Sequence, residues 1–116
     1  MSEAIETFFA AWGETDPEAQ ERLIDGAASG TFYYADPNTP QPLHSLSEFL
    51  DYVTAFSANM PGAGARVATV SQHHDHARAT VEFTRDGAVM MRGQYFADLD
   101  AAGKIERMVG FAGMGD

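Results

Sequence analysis

Hydrophobic residues in the first half of the chain recur with the spacing of helices. Ile5, Phe8, Phe9 and Trp12 follow the i, i+3, i+4, i+7 pattern of one apolar helical face. Ser2 is the expected N-cap of this helix, and Gly13 is the expected end. A second apolar stripe consists of Ala19, Leu23, Ile24, Ala27 and Ala28. Asp16 followed by Pro17 is a typical helix start, so we predict a second short helix that ends near Gly30.

A third helix is predicted after a proline-rich loop. Residues 31–35 are aromatic and β-rich, which indicates a strand, and three prolines with Asn38 make residues 36–44 a loop. Ser45 and Glu48 form a capping box. The apolar face that follows consists of Leu46, Phe49, Leu50, Val53, Phe56 and Met60. The run Pro61-Gly62-Ala63-Gly64 should end this helix.

The second half of the chain has the pattern of antiparallel strands. Residues 66–73, 77–85, 89–99 and 104–112 are strand-like, with turns near Asp75, at Asp86-Gly87 and over residues 100–103. The predicted order is therefore ααβαββββ. A chain in which the helices come first and the antiparallel strands follow is typical of an α+β fold. We expect a long curved sheet that wraps around three helices. We expect one domain over residues 1–116.

Composition and charge exclude several classes of function. The chain has 116 residues and no cysteine, which excludes disulfides, thiol nucleophiles and thiolate metal sites. Its net charge of −10 makes nucleic acid and anionic membranes improbable partners. No segment approaches the roughly 20 apolar residues of a membrane span. The acidic N-terminus lacks the features of a signal peptide, so we predict a cytoplasmic protein.

Asp36 is the first candidate for chemistry, and two interpretations remain open. Phe32, Tyr34 and Asp36 alternate along the predicted strand and therefore share one face. If this face lines a pocket, the carboxylate lies among aromatic rings, where poor solvation makes it a better base. Alternatively, Asp36 begins an Asx turn before Pro37 and accepts hydrogen bonds from nearby backbone amides.

The aromatic and methionine side chains predict an apolar pocket. Tyr95 shares a strand face with Met91, Gly93 and Ala97, which makes it the strongest candidate for a phenol donor. We expect the pocket to be lined by Trp12, Phe32, Tyr34, His44, Phe49, Tyr52, Phe56, Met60, Phe83, Met91 and Phe111, with Met90 and Met114 as further candidates. Ordinary core packing is the alternative for each of them.

The run His73-His74-Asp75-His76 is a weak candidate for a metal site. Alternation would place His74 and His76 on one face, about 7 Å apart, which suits a divalent ion. The run coincides with a predicted turn, however, and no third ligand is evident apart from a distant His44. We therefore predict no metal and no cofactor.

The order of elements resembles that of the nuclear transport factor 2-like superfamily. The strand that ends in Asp36-Pro37 and the closing run from Asp100 to Phe111 are similar to its SnoaL-like branch of polyketide cyclases and ketosteroid isomerases. The resemblance covers residues 3–113. It implies a cone-shaped fold with one apolar pocket, and a homodimer formed through the outer face of the sheet.

The resemblance also implies roles for individual residues. The proton-shuttling aspartate of ketosteroid isomerases corresponds to Asp36, and their two oxyanion donors correspond to Phe8 and Tyr95. Phe8 cannot donate a hydrogen bond, whereas Tyr95 can. Cyclases of the family place an acid/base aspartate on a later strand, where Asp98 is the nearest candidate. Epoxide hydrolases of the family use a set of two aspartates and an arginine. The run Arg92-Gly93-Gln94 lacks the nearby aspartate, so the resemblance does not extend to that chemistry.

Two functions follow from these expectations. The first is an isomerase or cyclase that acts on a small hydrophobic carbonyl compound, with Asp36 as general acid and base and Tyr95 as oxyanion donor. The second is a non-catalytic module of the same fold that binds a small apolar ligand or serves in dimerisation. The missing donor at Phe8 favours the second function, and the retained Asp36 and Tyr95 favour the first.

Overall fold

The computed structural model describes residues 3–113 and contains three α-helices and five strands within that range. The helices are α1 (Glu3–Ala10), α2 (Pro17–Ala27) and α3 (Leu46–Asn59), with a 3₁₀ turn at Ala11–Gly13 after α1. The strands are β1 (Ala28–Ala35), β2 (Ala63–His73), β3 (His76–Arg85), β4 (Ala88–Leu99) and β5 (Ile105–Ala112). The predicted N-cap Ser2 and the candidate Met114 lie outside the described residues.

The strands form one curved sheet in the order β1-β5-β4-β3-β2. β1 pairs with β5 in parallel, whereas the other three pairs are antiparallel. The helices pack on one face of the sheet, so the predicted α+β fold with a mostly antiparallel sheet is confirmed. None of the described helices is both long and apolar enough to cross a membrane.

Local sequence chemistry sets most of the element boundaries. Asp16 and Ser45 cap their helices by accepting hydrogen bonds from the amides of Glu18 and Glu48. Asp86 and Gly87 both have positive φ, at 52° and 86°, as a two-residue type I′ hairpin turn requires. β2 begins at Ala63, three residues before the predicted start of that strand. A further difference is that α2 ends at Ala27 and β1 begins at the next residue. The reason is that Ala28 is already extended, with φ −122° and ψ 151°, so no loop separates the two elements.

The core between the helices and β1 is an aromatic cluster. The Phe8 ring lies 4.9 Å from that of Phe49 and 5.6 Å from that of Phe32, and all three side chains are fully buried. Phe32 and Phe49 were predicted as pocket residues, but the structure places them inside this core. Such burial is a large apolar contribution to stability and fixes α1 and α3 against the strand that carries Asp36.

Gln20 is a buried polar residue that the hydrophobic pattern did not identify. Its amide nitrogen donates to the Ala11 carbonyl and the Ser57 hydroxyl, at 3.0 Å each. Its amide oxygen accepts from the Thr54 hydroxyl at 2.8 Å. Because a buried amide is tolerated only when its hydrogen bonds are made, these contacts explain its place in the core. They join α2 to α3 and to the 3₁₀ turn beside the cavity.

Candidate functional site

A cavity of about 210 Å³ lies between the 3₁₀ turn, α3 and the neighbouring ends of the sheet strands. The predicted site residues in its lining are Trp12, Asp36, Tyr52, Phe56, Met60, Phe83, Met91, Tyr95 and Phe111, and Met90 lies with them. Pro37, Asn38, Ala63, Thr84, Arg85 and Ala112 complete the lining. Most of this wall is apolar, so the few polar groups determine what the cavity can recognise.

The Asp36 carboxylate is held by its own turn. Its Oδ1 accepts hydrogen bonds from the backbone amides of Asn38, at 2.8 Å, and Thr39, at 3.0 Å. The Thr39 hydroxyl donates in turn to the Asp36 carbonyl at 3.0 Å. Two backbone hydrogen bonds between Tyr34 and Leu43 fold the loop back against β1. The Asx turn expected from Asp36-Pro37 is therefore present, and it fixes the direction of the carboxylate.

Two tyrosines hold the other carboxylate oxygen. The Tyr34 hydroxyl donates to Asp36 Oδ2 at 2.5 Å, and the Tyr52 hydroxyl donates to it at 2.9 Å. Tyr34 is fully buried, whereas Tyr52 is half-buried and lines the cavity. The Tyr52 hydroxyl also lies 3.1 Å from Oδ1. Asp36 therefore combines the two sequence interpretations, because its carboxylate is held both by the turn and by phenols beside the cavity.

Tyr95 faces the same cavity from β4. Its ring packs edge-on against Phe9, with 4.9 Å between centroids. The ring fits because residue 110, directly opposite on β5, has no side chain: a Cβ there would lie 2.2 Å from Tyr95 Cε2. Tyr34 lies close enough to influence the pKa of Tyr95, which connects Tyr95 to the group around Asp36. We call Tyr34, Asp36, Tyr52 and Tyr95 the phenol–carboxylate network.

The electrostatics of this network keep its phenols protonated. Burial raises the pKa of Tyr34, and the nearby Tyr95 and Asp36 raise it further. Burial also raises the pKa of Tyr52 and of Tyr95, with the charge of Asp36 adding to both effects. The interaction with Tyr34 partly offsets the rise in the pKa of Tyr95. The three phenols therefore act as hydrogen-bond donors at neutral pH.

These raised pKa values predict a loss of stability at alkaline pH. Tyrosine in the unfolded chain loses its proton near pH 10, whereas the folded state holds Tyr34, Tyr52 and Tyr95 neutral to higher pH. Their stabilisation is complete below about pH 10 and is lost as the pH rises towards the folded pKa values. Urea unfolding between about pH 8 and about pH 11 should show this fall, with a shallower slope in Tyr34→Phe. Tyr33→Phe is the matched control, and equal slopes in wild type and Tyr34→Phe would contradict the assignment.

Several other candidates lie away from the cavity. His44 is exposed and packs against the Tyr33 ring, at 5.5 Å between centroids. Asp98 pairs with His76 on the outer face of the sheet, where its Oδ1 lies 2.7 Å from His76 Nδ1. Arg92 pairs with Glu82, also on the outer face. Within residues 3–113 no three or more His, Cys, Asp or Glu side chains group as metal ligands.

The phenol–carboxylate network shows what sequence reasoning missed. Each of its residues was a candidate, but the hydrogen bonds from Tyr34 and Tyr52 to Asp36 were not foreseen. The available signal was the i, i+2 spacing of Tyr34 and Asp36 on one strand face. Tyr52 comes from α3, sixteen residues further along the chain, and only the tertiary fold brings it to Asp36.

Comparison with known proteins identifies the fold of the chain. No protein-family profile and no curated protein matches the chain. Among solved structures, a candidate isomerase of the SnoaL-like family from Agrobacterium tumefaciens is 25% identical and has a TM-score of 0.84. The match covers 96% of this chain and 95% of that one. The chain has the nuclear transport factor 2-like fold.

Two further solved structures show the range of proteins with this fold. A candidate polyketide cyclase from Sinorhizobium meliloti is 12% identical with a TM-score of 0.72, covering 95% of this chain and 94% of that one. A protein with a ketosteroid isomerase-like fold from Catenulispora acidiphila, in complex with trimethylamine, is 13% identical with a TM-score of 0.74. That match covers 93% of this chain and 83% of the other. The resemblance to this superfamily is thereby confirmed, although fold alone does not assign an activity.

Proposed function

We propose that this protein is a cofactor-independent isomerase or cyclase that acts on a small hydrophobic carbonyl compound. The observation that carries the proposal is the position of the Asp36 carboxylate in the wall of an apolar cavity, surrounded by phenols that remain protonated. A fixed carboxylate at an apolar surface is suited to move a proton between carbon atoms of a bound ligand.

The proposed reaction begins with proton transfer to Asp36. Oδ2 takes a proton from the carbon next to the ligand carbonyl, and the electron pair of that C–H bond forms an enolate. The Tyr95 hydroxyl donates to the developing oxyanion. Where a C=C bond of the ligand is conjugated with the enolate, return of the proton to the far carbon of that bond gives an isomer. Attack of the enolate carbon on a second carbonyl of the same ligand closes a ring, and the proton on Asp36 then passes to the new alkoxide. Because half-buried Tyr52 shares Oδ2, rotation of its hydroxyl towards the ligand frees a lone pair for the proton.

The size of the cavity limits the ligand. An apolar cavity of about 150 Å³ holds benzene. The cavity beside Asp36 measures about 210 Å³ and is therefore suited to a ligand of one or two rings. A four-ring steroid exceeds this volume, which agrees with the absence of the first-helix tyrosine at Phe8.

The proposal is tested by proton exchange at carbon. A small bicyclic ketone such as 2-tetralone is incubated with the protein in D₂O, and loss of its α-proton signal is followed by proton NMR. Faster exchange with the wild type than with an equal concentration of the Asp36→Asn variant supports the proposal. Equal exchange in the two samples refutes Asp36 as the base.

A second candidate function is the binding of a small ligand without turnover. The observation that favours it is the saturation of Asp36, which accepts from two amides and two phenols and has little capacity left for a substrate proton. The trimethylamine complex of the Catenulispora protein supports small-ligand binding in this fold. Saturable binding of ketones without exchange would establish this candidate and exclude the first.

We also propose that the protein forms a homodimer through the outer face of its sheet. Phe96 and Phe111 are 44% and 57% exposed and their rings contact one another at 5.9 Å. An apolar pair of this kind, next to the hydrogen-bonded His76–Asp98 pair, suits contact with a second copy of the same face. Phe111 also lines the cavity, so dimerisation would cover part of its wall. The cytoplasmic location remains a prediction.

The proposed dimer interface predicts that a negative charge introduced at Phe96 prevents dimerisation. Phe96→Glu should convert the protein to a monomer, because two buried carboxylates would face an apolar partner surface. Sedimentation equilibrium measures the molecular mass directly. Glu106→Gln, at another exposed position of the sheet, is the matched control and should leave the mass unchanged. A monomeric wild type, or a dimeric Phe96→Glu variant, would contradict the proposed interface.

A further inference from the structure

Trp12 connects the aromatic core with the cavity. It lies in the 3₁₀ turn after α1, lines the cavity and is only 2% exposed. Its ring lies 5.1 Å from Phe56, 5.6 Å from Phe83 and 6.1 Å from Tyr52, measured between centroids. These three aromatic neighbours line the cavity as well. Trp12 therefore belongs to the cavity wall.

The indole N–H of Trp12 is an unsatisfied donor. Its Nε1 is buried and has no hydrogen-bond acceptor among residues 3–113. Leaving a buried donor unpaired costs about 1–3 kcal/mol, and buried polar groups in folded proteins are otherwise nearly always paired. A phenylalanine would fill this apolar surrounding without that cost. The indole donor therefore calls for an acceptor that the protein itself does not supply.

The polar groups of the cavity wall favour a ligand that accepts hydrogen bonds. Tyr95 presents a protonated phenol there, whereas the single proton of the Tyr52 hydroxyl is donated to Asp36. The oxygens of the Asp36 carboxylate are already occupied by four donors. A neutral carbonyl oxygen matches this excess of donors better than a hydroxyl or an amine, which would add a donor of its own.

We propose that the Trp12 ring shifts slightly when a ligand enters this cavity, so that the buried Nε1–H donates a hydrogen bond to the carbonyl oxygen of the ligand. The inference rests on the proposed function and deepens it, since it defines the substrate class as compounds that place a carbonyl oxygen against the 3₁₀ turn. Trp12 and Tyr95 both pack against Phe9 and Phe83, so their rings flank the same part of the cavity.

The test uses the fact that Trp12 is the only tryptophan of the chain. Its indole N–H gives one cross-peak in a ¹H–¹⁵N correlation spectrum, which is followed during titration with cyclohexanone and with methylenecyclohexane. The two probes have the same ring shape, but a CH₂ group replaces the oxygen in the second. We expect a saturable downfield shift of the indole proton with the ketone and no downfield shift with the hydrocarbon.

Affinities of the Trp12→Phe variant provide the second readout. Loss of one hydrogen bond should weaken ketone binding by about tenfold and leave hydrocarbon binding within about twofold. Wild-type NMR remains decisive if the variant does not fold. An unmoved indole peak at saturating ketone, equal weakening of both probes, or no ketone binding overturns the inference. A shifted peak without α-proton exchange refutes only the proposed catalysis, whereas exchange with an unmoved peak refutes only the role of Trp12.

Discussion

Asp36→Asn should abolish the α-proton exchange of bound ketones, with a loss of about 10²–10⁴-fold in the catalysed rate. The asparagine oxygen can still accept hydrogen bonds from the Asn38 and Thr39 amides, so the Asx turn should remain. The amide group cannot take a proton from carbon at neutral pH. Ketone affinity should change little, because the apolar wall is untouched. NMR of α-proton loss in D₂O gives the rate, and titration gives the affinity.

The matched control for this variant is Asp98→Asn. It removes one carboxylate from the outer face of the sheet and leaves the cavity unchanged. It should retain the wild-type exchange rate, which separates a change in net charge from the loss of the base. If Asp98→Asn slows exchange as much as Asp36→Asn, or if Asp36→Asn retains full activity, the mechanism is wrong.

The fold could be predicted because local signals agreed along the chain. The helix caps at Asp16 and Ser45 and the hairpin turn at Asp86-Gly87 mark where elements begin or end. The spacing of hydrophobic residues shows whether each element is a helix or a strand. Together these signals indicate one topology. The parallel pairing of β1 with β5 was not specified by such signals. It joins distant segments, and the pairing depends on how the helices cover the sheet.

The candidate site was only partly predictable, for a physical reason. Alternation along a strand indicates which residues lie on the same face of the sheet. It grouped Tyr95 with Gly93 and Ala97, and all three are buried. Alternation does not distinguish the cavity from the packed core on that same face. Phe32 fills the core, whereas Phe83 lines the cavity, although the two are equally apolar in sequence. Hydrogen bonds between distant residues, such as Tyr52 to Asp36, require the tertiary structure.

Gly110→Ala should destabilise the protein by about 1–3 kcal/mol, the usual cost of overpacking a closed core. Its new Cβ would lie 2.2 Å from Cε2 and 2.7 Å from Cζ of Tyr95, and the buried ring has little room to move. Without this clash, replacing glycine by alanine in a strand should stabilise, because it restricts the unfolded chain. Gly30→Ala in β1, where a new Cβ meets nothing within 4 Å, is therefore the matched control. Urea unfolding measures both variants.

A double-mutant cycle shows whether the clash with Tyr95 is the cause. In a Tyr95→Ala background the ring is absent, so adding Gly110→Ala should cost little or nothing further. If Gly110→Ala lowers the free energy of unfolding as much in that background as in the wild type, the loss arises from the backbone of β5. That result would contradict our account of how Tyr95 is positioned. A displaced Tyr95 also loses its place beside Tyr34. Gly110→Ala should therefore slow ketone exchange under conditions where the protein is still folded, whereas Gly30→Ala should not.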